Sequence, residues 1–205
     1  GKSLCYQLPA VLRHRRGDGV TIVVSPLVAL MQDQVDALRR RGVPAALVNA
    51  TVPRQEREQR YRQALNGELA LLYVVPERFR RPAFCALLAE LRVAAVAIDE
   101  AHCISGWGHD FRPDYRRLGE YRRRCRTARG DAAPVLALTA TATPRVRADI
   151  VEQLGMVEPV EVQAPVFRAN LRLARIDCHG VRDKAEQVAK LLRRVGGAAI
   201  VYTGL

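Results

Sequence analysis

Val93-Ala94-Ala95-Val96-Ala97-Ile98-Asp99-Glu100-Ala101-His102 decides the fold. Six apolar residues without polar alternation read as a strand covered on both faces, the pattern of a parallel sheet flanked by helices. Two adjacent carboxylates then stand where that strand leaves the sheet, the edge at which α/β proteins bind ligands. Working outward, Thr21–Ser25, Ala45–Val48, Leu69–Val75, Pro134–Leu138, Leu171–Ile176 and Ala198–Tyr202 read as further strands. Helical patterns lie between them. In Leu27–Arg41 a stripe of Leu27, Leu30, Met31, Val35 and Leu38 ends at Gly42, a residue suited to a helix C-cap. Thr143-Pro144 starts another helix with a capping hydroxyl and a proline at its first position, and Gly155 closes it after Leu154. Strand–helix alternation at this spacing predicts an α/β fold with a mostly parallel sheet and helices on both faces.

Composition narrows the class. The 205 residues are 49% hydrophobic and 26% charged, which is globular and argues against disorder. The longest stretch without a charge runs from Gly19 to Gln32 and is too short to cross a bilayer. Gly1-Lys2-Ser3 does not open a cleavable signal. These features lead us to expect a soluble protein, or a soluble piece of one, with no membrane partner. The five cysteines (Cys5, Cys85, Cys103, Cys125, Cys178) form no CxxC pair, so they read as reduced thiols rather than a zinc site or disulfide frame. Net charge is +12, and all but Lys2, Lys184 and Lys190 of the 33 basic residues are arginine. Arginine's planar fork matches phosphate, so a polyanionic partner fits; an arginine-rich solvated surface would give the same total. Eight arginines between Arg112 and Arg129 face only Asp114 and Glu120, and could track phosphates or simply line a wet helix face.

Chemistry concentrates in three places. Asp99 suits a magnesium ion that bridges nucleotide phosphates, and Glu100 suits orienting and deprotonating a water. An acidic solvated turn capping the strand would carry the same pair. Gly1-Lys2-Ser3 matches the end of G-x-x-x-x-G-K-[ST], in which amides cradle phosphates, the lysine reaches the β/γ oxygens and the hydroxyl ligates the metal. Leu136-Ala-Leu-Thr139-Ala-Thr141-Ala-Thr143 places small and hydroxyl-bearing residues after another buried strand.

Together and in this order, these blocks resemble superfamily 2 helicases. The run Asp99-Glu100-Ala-His102-Cys-Ile-Ser-Gly-Trp107-Gly-His109-Asp-Phe111-Arg112-Pro-Asp-Tyr115 is similar to the aromatic-rich loop of the RecQ family, fused to its DEAH box. Val24–Leu27 with Leu30–Val35 resembles motif Ia, Tyr73–Arg78 motif Ib, Ala137–Thr143 motif III, and Ile200–Tyr202 motif IV. The resemblance implies a RecA-like, P-loop NTPase domain that uses ATP and Mg2+. It implies that Gly1, Lys2 and Ser3 bind the nucleotide, that Ser3 and Asp99 hold the metal, and that Lys2, Asp99 and Glu100 are catalytic. His102, Trp107, His109, Phe111, Arg112, Thr139 and Thr141 would then couple hydrolysis to DNA. Unpaired bases stack on aromatic faces without sequence demands, worth about 1–3 kcal/mol each. Two departures stand out: Gly106 where the family has a polar residue, and Arg168-Ala169-Asn170 where it has Arg-Pro-Asn.

The expected layout is a first RecA-like domain over residues 1–164, a linker over 165–180, and the first helix (Arg182–Val195) and strand of a second over 181–205. The chain starts inside the phosphate motif and stops after a strand, as an excised fragment would. By resemblance, the whole protein would be a monomeric 3′-to-5′ helicase acting on single-stranded and partly duplex DNA in repair or recombination. It would work in the bacterial cytoplasm at the nucleoid, or in a nucleus if eukaryotic. The family's zinc-binding region would lie outside this segment, as would the arginine finger, worth roughly 10³–10⁵ in rate in related phosphate chemistry, so the segment alone is expected to be nearly inactive. Two rivals are an RNA-directed DEAH helicase and a RecA-like clamp that binds nucleic acid without turnover.

Overall fold

The computed structural model describes residues 1–107, 110–164, 170–195 and 197–203. It separates into two units, Gly1–Val160 and Glu161–Leu205. The first is built on five parallel strands in the order β2-β3-β1-β4-β5: β1 (Val20–Val24), β2 (Ala45–Val48), β3 (Leu71–Val74), β4 (Val93–Ile98) and β5 (Val135–Ala137). Every residue of the four strands β1 to β4 is buried, as an all-apolar run demands, whereas the edge strand β5 is half-buried.

Alternate side chains divide the core. Ile22, Val24, Leu72, Val74, Val96 and Ile98 pack toward α3 (Arg54–Leu65), α4 (Pro82–Glu90), α5 (Pro113–Arg116), α6 (Leu118–Arg122) and α7 (Pro144–Leu154). Val23, Leu47, Leu71, Tyr73 and Ala97 pack toward α1 (Leu4–Arg15) and α2 (Val28–Arg40). The α2 stripe holds in part: Met31, Val35 and Leu38 are buried, whereas Leu27, which precedes the helix, and Leu30 are exposed. In α7 the Thr143 hydroxyl accepts from the Val146 amide, and Gly155 takes a left-handed φ of 58°.

Three expectations need correction. Leu69–Val75 shortens to Leu71–Val74, the stretch over which it pairs with Thr21–Val24 on one side and Ala45–Val48 on the other. Leu171–Ile176 and Ala198–Tyr202 form no strand: the apolar side chains are there, but no backbone among the described residues completes a ladder with them. The second unit holds one described helix, α8 (Gly180–Arg194), which begins two residues before the expected start and has no buried residue.

Gly119 in α6 lets two helix backbones touch, since a Cβ there would run into the Gln153 carbonyl at the end of α7. Gly119→Ala should therefore lower unfolding stability by about 1–3 kcal/mol, read as a reduced urea midpoint. An unchanged midpoint would show that α6 can back away freely.

Candidate nucleotide and coupling site

The backbone aims the acidic pair from both sides. Asp99 donates its amide to the Val24 carbonyl at the end of β1, 2.9 Å, and Ala101 donates to the Leu138 carbonyl beyond β5, also 2.9 Å. Between these clamps Glu100 adopts a left-handed φ of 48°, costly for a residue with a Cβ. That kink turns the chain from β4 into a short 3-10 helix over Ala101–Ile104. Asp99 is buried, its Oδ1 accepts the Glu100 amide at 3.0 Å, and the Tyr115 hydroxyl donates to its carbonyl at 3.0 Å.

Lys2 meets this pair from the other end of the sequence. Its Nζ lies 3.1 Å from Glu100 Oε1 and 3.6 Å from Asp99 Oδ1. Gly1, Lys2 and Ser3 lead directly into α1, whose N-terminal amides and dipole favour an anion. A carboxylate and a hydroxyl are hard oxygen donors, so Asp99 and Ser3 fit a hard divalent cation such as Mg2+.

His102 extends the site. Its Nδ1 lies 3.4 Å from Glu100 Oε2 and 2.9 Å from the Thr139 hydroxyl. Thr139 Oγ1 in turn donates to the Thr141 carbonyl at 3.0 Å and accepts the Thr141 amide at 3.3 Å, folding the stretch after β5 into a tight turn. The structure thus gathers Lys2, Asp99, Glu100, His102, Thr139 and Thr141 into one polar chain, with Gly1 and Ser3 flanking Lys2 at one end.

The loop residues stand apart from that chain. Trp107 is 63% exposed and Phe111 is 40% exposed, so neither serves as core. Arg112 forms an ion pair with Asp110 at 3.2 Å and donates its amide to the Cys103 carbonyl at 2.9 Å. The Arg112 guanidinium holds the Asp110 carboxyl below its usual range, while burial and Asp110 push the Cys103 thiol up to about 11. His109 lies outside the described residues.

Sequence reasoning passed over several residues. Tyr115 supports Asp99, and only its place in the loop signals this. Gln34 Oε1 accepts from Tyr6 at 2.7 Å, Tyr73 at 3.1 Å and Gln7 at 3.2 Å, tying α1, α2 and β3 together. A lone glutamine in the stretch that resembles motif Ia carries no signal of that network. The arginine cluster also changes meaning: Arg122 donates to the Leu154 and Gly155 carbonyls at 2.9 and 2.8 Å, and Arg117 and Arg124 lie over Tyr121. Half-wet helix packing accounts for those three without a nucleic acid.

Residues 1–150 match the family model described as DEAD/DEAH box helicase. The chain is 46% identical over 171 residues to the ATP-dependent DNA helicase RecQ of Bacillus subtilis, covering 83% of this chain and 28% of that protein. It is 42% identical over 176 residues to the ATP-dependent helicase SGS1 of Saccharomyces cerevisiae, covering 83% of this chain and 12% of that one. Among solved structures, the Hef helicase domain of Pyrococcus furiosus superposes with a TM-score of 0.59 at 20% identity, over 78% of this chain and 32% of that one; this speaks to fold alone. The chain therefore spans less than a third of the length of each of these relatives.

The raised Cys103 thiol makes a direct prediction. At pH 8 iodoacetamide should label exposed Cys5 readily and leave buried Cys103 and Cys125 untouched until urea is added. Cys103 labelling should climb only as pH approaches about 11, because only the thiolate reacts. Mass-spectrometric peptide mapping reads the outcome; equal rates at Cys5 and Cys103 at pH 8 would contradict the burial.

Proposed function

Because the chain belongs to the DEAD/DEAH box helicase family, we propose that it supplies the first motor domain of an ATP-dependent DNA helicase of RecQ type. The observation that carries this is the polar chain from Lys2 through Glu100 and His102 to Thr139, with links of 3.1, 3.4 and 2.9 Å. It joins a phosphate-binding lysine to a hydroxyl-rich turn beyond the next strand. The RecQ assignment within the family is supported by the named relatives and by the exposed aromatics that follow the acidic pair.

In this reading the α1 N-terminus and Lys2 grip the β- and γ-phosphates of ATP. A bound Mg2+, held by Ser3 and Asp99 directly or through water, would neutralise charge developing on the phosphates. Glu100 sits beyond Asp99 on the kinked backbone and accepts a proton from the attacking water. Lys2, held between the two carboxylates, moves to the phosphates when nucleotide enters and frees Glu100 for that water. His102 hears of the change because it touches both Glu100 and Thr139. Trp107, Phe111 and Arg112 follow His102 in sequence, so DNA seated on that loop can bias the same histidine.

Translocation would run 3′ to 5′ on single-stranded DNA, with duplex unwinding in repair or recombination, by a monomeric motor. The setting would be a bacterial cytoplasm or, in a eukaryote, a nucleus. Arginine's excess over lysine supports a GC-rich bacterial genome. Residues 165–180 would serve as the linker to a second RecA-like domain opened by α8.

Steady-state ATP hydrolysis by the natural full-length protein tests the proposal, with no nucleic acid, with single-stranded DNA and with single-stranded RNA. DNA should stimulate turnover, RNA should not, and Glu100→Gln should lower the stimulated rate by roughly 10²–10⁴. Stimulation by RNA alone would establish an RNA motor instead. DNA binding without turnover would leave a clamp.

A further inference from the structure

Trp107 is the chain's only tryptophan. Its amide is held by the Ser105 hydroxyl at 3.2 Å, yet the indole remains 63% exposed. One face of that indole is nevertheless occupied. The guanidinium carbon of Arg145 lies 3.2 Å from the ring centroid. A planar guanidinium at that distance both attracts the ring and fixes its tilt. Arg145 is itself firmly based. It follows Pro144 in the first turn of α7, where the Thr143 hydroxyl accepts the Val146 amide and Val146 and Ile150 are buried. A residue of the packed body thus braces a side chain of the loop, and the indole keeps most of its surface open to solvent.

We propose that Arg145 is the supporting half of a binding subsite for an unpaired nucleobase: it braces one face of Trp107 while the base stacks on the other. The proposal rests on the nucleic-acid reading of this loop and adds a residue to it. A tryptophan already held in place loses less conformational freedom when the base arrives, so the brace acts by preorganisation. Every base has a π-face, so the subsite tolerates any sequence. The arginine's charge lies under the ring, which separates this role from an ordinary phosphate contact. Because α7 follows the Thr139–Thr141 turn, the brace also gives the loop a second connection to the hydroxyl end of the polar chain.

Binding of a labelled oligothymidylate to the 205-residue chain, read by anisotropy, tests this alongside the emission of the single tryptophan. Arg145→Ala should shift Trp107 emission in the absence of DNA and weaken oligonucleotide binding about two- to thirtyfold. Arg145→Lys should fall between. The salt dependence should keep its slope, whereas loss of a phosphate contact would reduce it by about 0.7 in log–log units. In a Trp107→Ala background the Arg145→Ala change should cost nothing further. An Arg145→Ala chain that binds as tightly as the parent, or an equal loss in the Trp107→Ala background, would overturn the brace and leave the loop's DNA contact intact. If Trp107→Ala binds normally and DNA leaves the tryptophan emission unchanged, the loop reading falls and the brace falls with it.

Discussion

Lys2 and Glu100 stand 98 positions apart in the chain and 3.1 Å apart in space. Opposite charges attract at any such distance, but these two can meet only because α1 and β4 are fixed to the same sheet. Lys2 rides on the start of α1, whose Tyr6 and Ala10 are buried against Val23 and Ala97. Glu100 rides on the end of β4, locked between β1 and β5 by the Asp99 and Ala101 amides. Removing either support would separate the charges before it changed either side chain. The site is therefore a property of the sheet, and the residues that hold it together are mostly buried in the core.

The Gln34 network illustrates how such support can work. Three donors from α1 and β3 converge on one amide oxygen of α2, with Tyr6 and Tyr73 wholly buried. Burial raises the pKa of both phenols, so they remain neutral donors throughout the physiological range. A hydrogen-bonded knot of neutral groups fixes α1 against α2 without the desolvation cost of a buried charge. If the stretch that resembles motif Ia contacts DNA as the resemblance implies, then α2 would pass that contact to α1, the helix that follows Gly1-Lys2-Ser3.

Much of this was legible in the sequence, for identifiable reasons. Buried parallel strands announce themselves because both faces are apolar, so β2 and β4 fall where the residues predict. The α7 boundaries were legible because Thr143, Pro144 and Gly155 each satisfy a distinct end requirement. Leu171–Ile176 misled because apolar alternation states only what a strand could bury, not whether a partner backbone is present. The short helices over Pro113–Arg116 and Leu118–Arg122 were hidden under a run of arginines that masked Tyr115, Leu118 and Tyr121, all buried. At the site, side-chain chemistry identified the acidic pair and the lysine. The left-handed kink at Glu100 and the Cys103–Asp110 contact depend on tertiary closure, which no local pattern encodes.

Arginine shows most clearly why composition alone does not identify a partner. A charge of +12 invites a nucleic-acid footprint, and a solvated surface is its obvious competitor. The structure displays a third use. Arg13, Arg39 and Arg57 donate to the carbonyls of Ala94, Ala45 and Val52, and Arg122 closes the end of α7. A long side chain with five donors can satisfy carbonyls at element ends while its head stays partly wet, so part of the positive charge is spent on backbone hydrogen bonds. What distinguishes Arg145 is the exposure of its partner rather than the number of arginines: the Tyr121 ring under Arg117 and Arg124 is buried, whereas the Trp107 indole under Arg145 is exposed. A guanidinium committed to a carbonyl is already bound on its donor edge, whereas one centred over an exposed indole leaves the outer π-face of that ring for a second planar group. It is this geometry, and not the excess of positive charge, that marks Trp107 and Arg145 as the place where a base would lie.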